Sequence, residues 1–290
     1  MGRVAWVDGR FVRLGEPAVG LEDRGYQFGD GVYEMVKVVE GIARDLDRHL
    51  ARLERSLAEI RLAPPPRRDL LRAVAAELLR RNPLRLATLY IQVTRGEAPR
   101  AHPFPKGVHP RTVMVVRRLV PPSERDRAEG VAVLTAPEIR WARRDIKTVN
   151  LLANVLARQR AAEAGCREAV FVEADGTVTE ASAANLFIVD EAGVLRTHPA
   201  DERILPGITR AVVLELARAH GLPVEERAFT LEELLRAREA FLTGTTSFVL
   251  PVATVDGRVI GNGRPGEVTR TLGRAYCEHS GIPELARVWA

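Results

Sequence analysis

The sequence predicts an α+β protein of two domains, and three observations carry that expectation. Its 290 residues are long for one hydrophobic core and sufficient for two. Strand-like and helix-like stretches follow one another without the regular strand–helix–strand rhythm of a doubly wound sheet. A Pro-rich stretch, Leu119-Val120-Pro121-Pro122-Ser123, leads into a cluster of charges. The division expected is a small N-terminal domain over 1–118, a linker over 119–125 and a larger C-terminal domain over 126–290.

In the first half, Val4 to Val7 and Phe11 to Arg13 read as two strands turned by Asp8-Gly9. Gly31 to Val39 and Ile42 to Asp45 form a second pair joined through Glu40-Gly41. Asp47 opens a helix with Leu50, Leu53, Leu57 and Ile60 at helical spacing, broken by Pro64-Pro65-Pro66. A second helix spans Asp69 to Arg81 and stops at Asn82-Pro83. Strands Ala87 to Thr94 and Thr112 to Val116 follow, with a Pro/Gly/His-rich loop between them. In the second half, strands are expected at Val131 to Thr135, Ala169 to Glu173 and Asn185 to Val189. Helices are expected over Val149 to Ala164, Thr209 to His220, Leu231 to Ala237 and Gly266 to Ser280. Gly165 and Gly221 sit where C-terminal caps belong. Thr230 and Glu233 have the spacing of a capping box.

Composition narrows the function. Hydrophobic residues make up 46% and charged residues 28%, the proportions of ordinary folded protein rather than disordered chain. No apolar run approaches the roughly 18 residues of a membrane span, and the first residues lack the apolar core of a secretory signal. Cys166 and Cys277 are too far apart for a disulfide framework or a zinc spacing, which points to a reducing, cytoplasmic setting. The net charge of +5 does not signal nucleic acid, because the basic residues alternate with Asp and Glu along helices. Lysine is scarce: Lys37, Lys106 and Lys147 stand against forty arginines. Where a cation serves only as charge, arginine is evidently accepted. A retained lysine is a candidate for chemistry that needs a neutral amine.

No dinucleotide-binding glycine motif, P-loop, zinc-protease helix or nucleophile elbow is present, and the six histidines are scattered. Nucleotide, hydrolase and metal chemistries lose weight together. Four segments remain. Arg143-Arg144-Asp145-Ile146-Lys147-Thr148-Val149-Asn150 puts a lysine between a strand and a helix start, where a free cation is disfavoured by the helix dipole. Val178 to Phe187 carries Glu180 among small residues that would let a carboxylate approach a flat ring. On its own this segment reads equally as a surface turn. Gly207-Ile208-Thr209-Arg210 and Thr243-Gly244-Thr245-Thr246-Ser247 offer backbone N–H groups and hydroxyls suited to a phosphate.

Together these segments resemble the class IV aminotransferases, the fold type IV pyridoxal-phosphate enzymes, and within them the D-amino acid aminotransferases of bacteria. The resemblance covers nearly the whole chain. It rests on Glu22 through Glu34, on Val93-Thr94-Arg95-Gly96 with Pro99-Arg100-Ala101-His102, on Asp145-Ile146-Lys147 through Leu152, and on Thr243 to Ser247 with Pro251-Val252. It implies a fold type IV, two-domain α+β architecture with pyridoxal 5'-phosphate between the domains. Lys147 would carry the cofactor as a Schiff base and shuttle the proton. Glu180 would pair with the pyridine nitrogen. Arg52 would bind the phosphate with Ile208 and Thr209, Thr245 would assist, and Leu205 would buttress the ring.

The resemblance further implies that Tyr33, Arg100 and His102 trap the substrate carboxylate, Arg100 and His102 reaching in from a neighbouring subunit of a homodimer. The substrates would then be D-amino acids such as D-alanine or D-glutamate, with pyruvate or 2-oxoglutarate as partners. Branched-chain L-amino acid transamination and cleavage of aminodeoxychorismate on the same fold are the alternatives, as is activity on amines. A silent anion-binding protein would need none of Lys147, Glu180 and Tyr33 together. Gly244 departs from the usual serine, and Ala142 and Arg143 depart around the lysine.

Overall fold

The computed structural model describes residues 3–16, 18–62 and 66–289. Pro64 and Pro65 of the expected helix break, and Met1 and Gly2, lie outside the described residues. Contacts divide the chain into two compact units, Met1–Val120 with Ile146–Leu151, and Pro121–Asp145 with Leu152–Ala290. The expected boundary assigned Ile146–Leu151 to the second domain; its contacts place it in the first unit.

In the first unit, strands β1 (Val4–Val7), β2 (Arg10–Arg13), β3 (Gly31–Val39), β4 (Ile42–Ala43), β5 (Leu86–Thr94) and β6 (Arg111–Arg118) form one antiparallel sheet in the order β2-β1-β6-β5-β3-β4. Three helices accompany it: α1 (Arg24–Phe28), α2 (Leu46–Glu59) and α3 (Arg68–Arg81). Successive strand residues point to opposite faces. Val32, Glu34, Val36 and Val38 are fully buried, Val32, Val36 and Val38 in one cluster with Leu50, Leu53 and Leu57 of α2 and Leu71, Val74 and Leu78 of α3. Tyr33 and Met35, on the other face, are only half-buried. Burying one Leu- or Val-sized side chain contributes about 1.5–3 kcal/mol, so this single layer of helices on sheet is enough to hold β3 and α2 in register.

The second unit contains α4 (Glu124–Glu129), β7 (Val131–Pro137), α5 (Leu152–Glu163), β8 (Glu168–Val172), β9 (Thr177–Ala181), β10 (Asn185–Val189) and β11 (Leu195–Thr197). It continues with α6 (Ile208–Ala219), β12 (Val224–Glu226), β13 (Phe229–Thr230), α7 (Leu231–Arg236), β14 (Glu239–Gly244), β15 (Phe248–Val255), β16 (Arg258–Val259) and α8 (Glu267–His279). The strands join in one mixed sheet, β12-β11-β10-β14-β15-β7-β8-β9-β13, with β16 on β15. Phe229, Leu186, Leu242 and Leu250 anchor its main core. The expected capping box on α7 forms, Thr230 accepting from the Glu233 N–H. Gly165 and Gly221 take the left-handed conformation at the ends of α5 and α6. Among the described residues no helix is long and apolar enough to cross a membrane.

Helix α5 begins at Leu152, not at the expected Val149. The residues before it bond to β3 instead, Tyr33 N–H donating to Lys147 O at 2.9 Å and Val149 N–H to Gly31 O at 3.0 Å. With Thr148 bridged to Val32, this segment extends the sheet edge. Lys147 therefore does not stand at a helix N-terminus, and the dipole argument does not apply to it.

Candidate active site

The first unit holds Lys147 by its backbone rather than by a helix. The two strand-type bonds to β3 fix the main chain on either side, and the Lys147 N–H points to Ser56 Oγ on α2 at 3.4 Å. Its side chain is half-buried, and Nζ lies 4.4 Å from the centroid of the Tyr33 ring. A cation over a phenol face is a favourable contact. Tyr33 in turn packs on Tyr90 with centroids 5.6 Å apart, and Tyr90 donates to Gln92 Oε1 at 2.6 Å. Burial, then the neighbouring Tyr33, push the Tyr90 hydroxyl up to about 12.

On the helix side of β3 the expected Arg52 stands in a charged cluster with Glu34 and His49, a pairing that sequence reasoning missed. Arg52 donates Nε and Nη2 to the two oxygens of Glu34, both at 2.8 Å, and His49 Nδ1 faces Glu34 Oε2 at 2.7 Å. Burial would raise the Glu34 carboxyl, but the charge and hydrogen bonds of Arg52 and His49 win and bring it to about 2. Burial lowers His49 below its usual range despite Glu34, with the Arg52 and Lys147 charges adding to the effect. His49 is thus neutral near pH 7 and donates Nδ1–H. The signal for this cluster was present: Glu34 is a carboxylate at an inward position of an otherwise apolar strand face, and a buried charge needs a partner.

Arg100 and His102 lie on an exposed loop. The loop is held from below: Arg24, itself buried, donates to Ala101 O at 2.5 Å and to His102 O at 3.2 Å, while its Nε bonds Asp30 at 2.8 Å. Arg95 grips the same Asp30 with two bonds and lies 3.7 Å from the Phe104 ring centroid. Arg100 stacks over Phe28 at 4.5 Å. No hydrogen bond or ring contact joins Tyr33 to Arg100 or His102 among the described residues.

In the second unit, Glu180 ends β9 almost fully buried and is surrounded by donors. Oε1 accepts from Arg140 Nη1 at 2.7 Å; Oε2 accepts from Asn185 Nδ2 at 2.9 Å and from the Leu205 N–H at 3.1 Å. An acceptor so served is a carboxylate, not an acid. Asn185 completes the arrangement by donating to Leu205 O at 2.9 Å. Gly207 permits it, since a Cβ there would lie 2.0 Å from Asn185 Oδ1. Gly207 also caps α6 without a side-chain bond, so the first amides of the helix, those of Ile208 and Thr209, are available to an anion. Thr209 is buried, its hydroxyl 3.2 Å from that of Tyr276. Thr245 sits in the turn between β14 and β15, which Phe248 closes at a positive φ of 62°, a strained conformation for a bulky residue and one that collects at functional sites.

The donor set fits a phosphorylated pyridine. Thr243 Oγ1 is buried without a hydrogen-bond partner among the described residues, and Thr243 pairs with Asn185 across the sheet, so both project from the same face. An orphaned hydroxyl, a helix start without a side-chain cap and a carboxylate held as an anion therefore belong to one unit. Lys147 and Tyr33 belong to the other. Thr243 lies in the Thr243 to Ser247 segment already singled out for a phosphate, whereas Asn185 was given no role and Arg140 carried no signal at all among forty arginines.

Comparison with known proteins agrees with this chemistry. Residues 31–255 match the family described as amino-transferase class IV. A D-alanine aminotransferase from Bacillus licheniformis is 43% identical over 280 residues, covering 97% of this chain and 98% of that one. Among solved structures, the branched-chain aminotransferase of Thermoproteus uzoniensis with norvaline superposes with a TM-score of 0.87 at 28% identity, covering 100% of this chain and 98% of that one. The branched-chain amino acid aminotransferase of Escherichia coli gives 0.89 at 25% identity, covering 96% of this chain and 94% of that one.

Proposed function

The chain belongs to the class IV aminotransferases, and from that membership we propose that it moves amino groups between D-amino acids and 2-oxo acids. The observation that carries the substrate class is the 43% identity to a D-alanine aminotransferase along almost the whole of both chains. The cofactor is pyridoxal 5'-phosphate, which when bound supplies an electron sink for the bond pair released at the substrate Cα.

The residues divide the remaining work. Lys147 Nζ would hold the cofactor, and as a free amine it would move the proton at the substrate Cα. Glu180 keeps a proton on the ring nitrogen. Arg52, the amides of Ile208 and Thr209, and Thr245 would hold the phosphate, and Leu205 would support the ring. Tyr33 binds the substrate carboxylate with Arg100 and His102 of a second copy, where a planar guanidinium suits a carboxylate. A second copy is favoured by an apolar surface on the second unit. Leu152, Val155 and Leu156 lie at i, i+3 and i+4 of α5 and are 67%, 58% and 57% exposed, and Ile139 and Trp141 are exposed too. Sedimentation is expected to give a homodimer at micromolar concentration; a fully active monomer would contradict the shared trap. Cys166 and Cys277 are free thiols, in keeping with a cytoplasmic enzyme.

The decisive experiment is the visible spectrum of the cofactor-loaded protein. D-alanine is expected to bleach the cofactor band, while L-leucine leaves it unchanged. A band that answers only to L-leucine would move the chain to the branched-chain reading that its structural likenesses favour.

A further inference from the structure

We propose that Arg140 is a positioning residue that keeps Glu180 a carboxylate, at the centre of an alternating chain of buried charges, Glu180–Arg140–Glu138–Arg144. The inference rests on the role given to Glu180 above, and all four residues lie in the second unit.

The side chains of Glu180, Arg140, Glu138 and Arg144 are 7%, 7%, 0% and 9% exposed. Arg140 spends its fork on Glu138, Nε to Oε1 at 2.9 Å and Nη2 to Oε2 at 2.6 Å, and turns Nη1 to Glu180. Its guanidinium carbon lies 4.3 Å from the Phe171 ring centroid, which fixes the plane of the fork. Arg144 Nη1 stands 3.6 Å from Glu138 and 2.6 Å from the half-buried Glu173. Thr179 Oγ1 donates to Glu138 Oε2 at 2.9 Å. The Arg140 backbone N–H also donates to Glu138 Oε1 at 3.1 Å, and Asn185 and the Leu205 N–H serve the far oxygen of Glu180.

Along the buried chain two carboxylates face two guanidiniums, and the half-buried Glu173 takes a share of the Arg144 charge. Remove the Arg140 charge, and Glu138 and Glu180 become two buried carboxylates sharing one cation, a state relieved by taking up a proton. Burial pushes Glu138 up, but Arg140 and Arg144 hold it below its usual range. A protonated Glu180 has no charge with which to keep a proton on a pyridine nitrogen. The chain also fixes geometry. The Arg144 N–H donates to Glu202 O at 3.0 Å and its guanidinium reaches Arg203 O, so the loop that brings the Leu205 N–H to Glu180 is tied at both ends. The same segment, Glu138 to Asp145, runs directly into Lys147 in sequence.

The test compares wild type, Arg140→Gln and Arg140→Lys as cofactor-loaded proteins. It reads the pH dependence of the visible band, cofactor loss on dialysis, and kcat and KM for D-alanine. Arg140→Gln is expected to move the midpoint of the spectral transition by about one pH unit, to release cofactor faster, and to lower kcat by roughly tenfold or more with KM little changed. Arg140→Lys keeps the charge without the fork, and is expected to hold the midpoint close to wild type while still losing cofactor faster. A merely structural arginine would not separate the two variants in this way. If Arg140→Gln does not fold, the lysine variant still decides: cofactor retention and kcat equal to wild type overturn the proposal. Wild type that loads normally, with a glutamine variant of unchanged midpoint, overturns this role alone. Wild type that binds no pyridoxal phosphate overturns the functional reading and this role together.

Discussion

Replacing Lys147 by alanine is expected to reduce amino transfer by at least about 10⁴-fold, the upper range for removing a general acid–base, because in the role proposed for it the residue also carries the cofactor. Stability should hardly change. The side chain is half-buried and its one described ring contact is with Tyr33, worth about 1 kcal/mol or less near a surface. The backbone bonds that tie the segment to β3 do not depend on the side chain. Lys147→Arg is expected to be as inactive as alanine, since a guanidinium does not become neutral in a protein. That result would explain why lysine persists here in a chain that uses arginine almost everywhere else. Single-turnover assays with D-alanine on the folded variants provide the check. Near-native turnover by either variant would remove Lys147 from the chemistry.

How much was legible depended on whether the cause lay nearby in sequence. Strand β3 was read with its bounds because alternation and the Glu40-Gly41 turn are local properties. Asn185–Val189 was read because a short, continuous apolar run is equally local. The start of α5 was misplaced because Lys147 to Val149 bond to Gly31 and Tyr33, more than a hundred residues away, and no local propensity reports that competition. Strands β11, β12 and β13 are two or three residues long and exist only through their partners. Lys147 and Glu180 stood out through their segments, whereas Arg140 depends on a partner 40 residues along the chain. The left-handed conformation of Phe248 was illegible too: glycine and asparagine advertise positive φ, and a phenylalanine adopts it only where surrounding packing compels it.

Glu34→Gln is expected to produce the largest loss of stability, because it leaves Arg52 as a buried cation without its carboxylate. Breaking one partner of such a pair costs about 3–5 kcal/mol, and all of the Glu34 side chain is buried. The pH dependence gives the change a signature. The Glu34 carboxyl falls from 4.5 to about 2 in the folded chain, so the unfolded state binds the proton first as the solution is acidified. The stabilisation is complete above pH 4.5, about 3 kcal/mol by linkage, and is lost as pH falls from 4.5 towards 2. His49 acts in the same sense from higher pH. Burial lowers it from 6.5, so below pH 6.5 protonation of the unfolded chain begins to count against the fold. Wild-type stability should therefore decline from about pH 6.5 and steepen below pH 4.5, while Glu34→Gln, already low at pH 7, shows the shallower acid limb. Urea titrations at fixed cofactor concentration across pH 3–8 measure both curves. A variant as stable as wild type at pH 7, or a difference between the two that does not shrink with acid, would mean that Glu34 does not hold Arg52 through charge. If Arg52 holds the phosphate as proposed, the same variant should also bind pyridoxal phosphate more weakly, which would join the stability of the first unit to its chemistry.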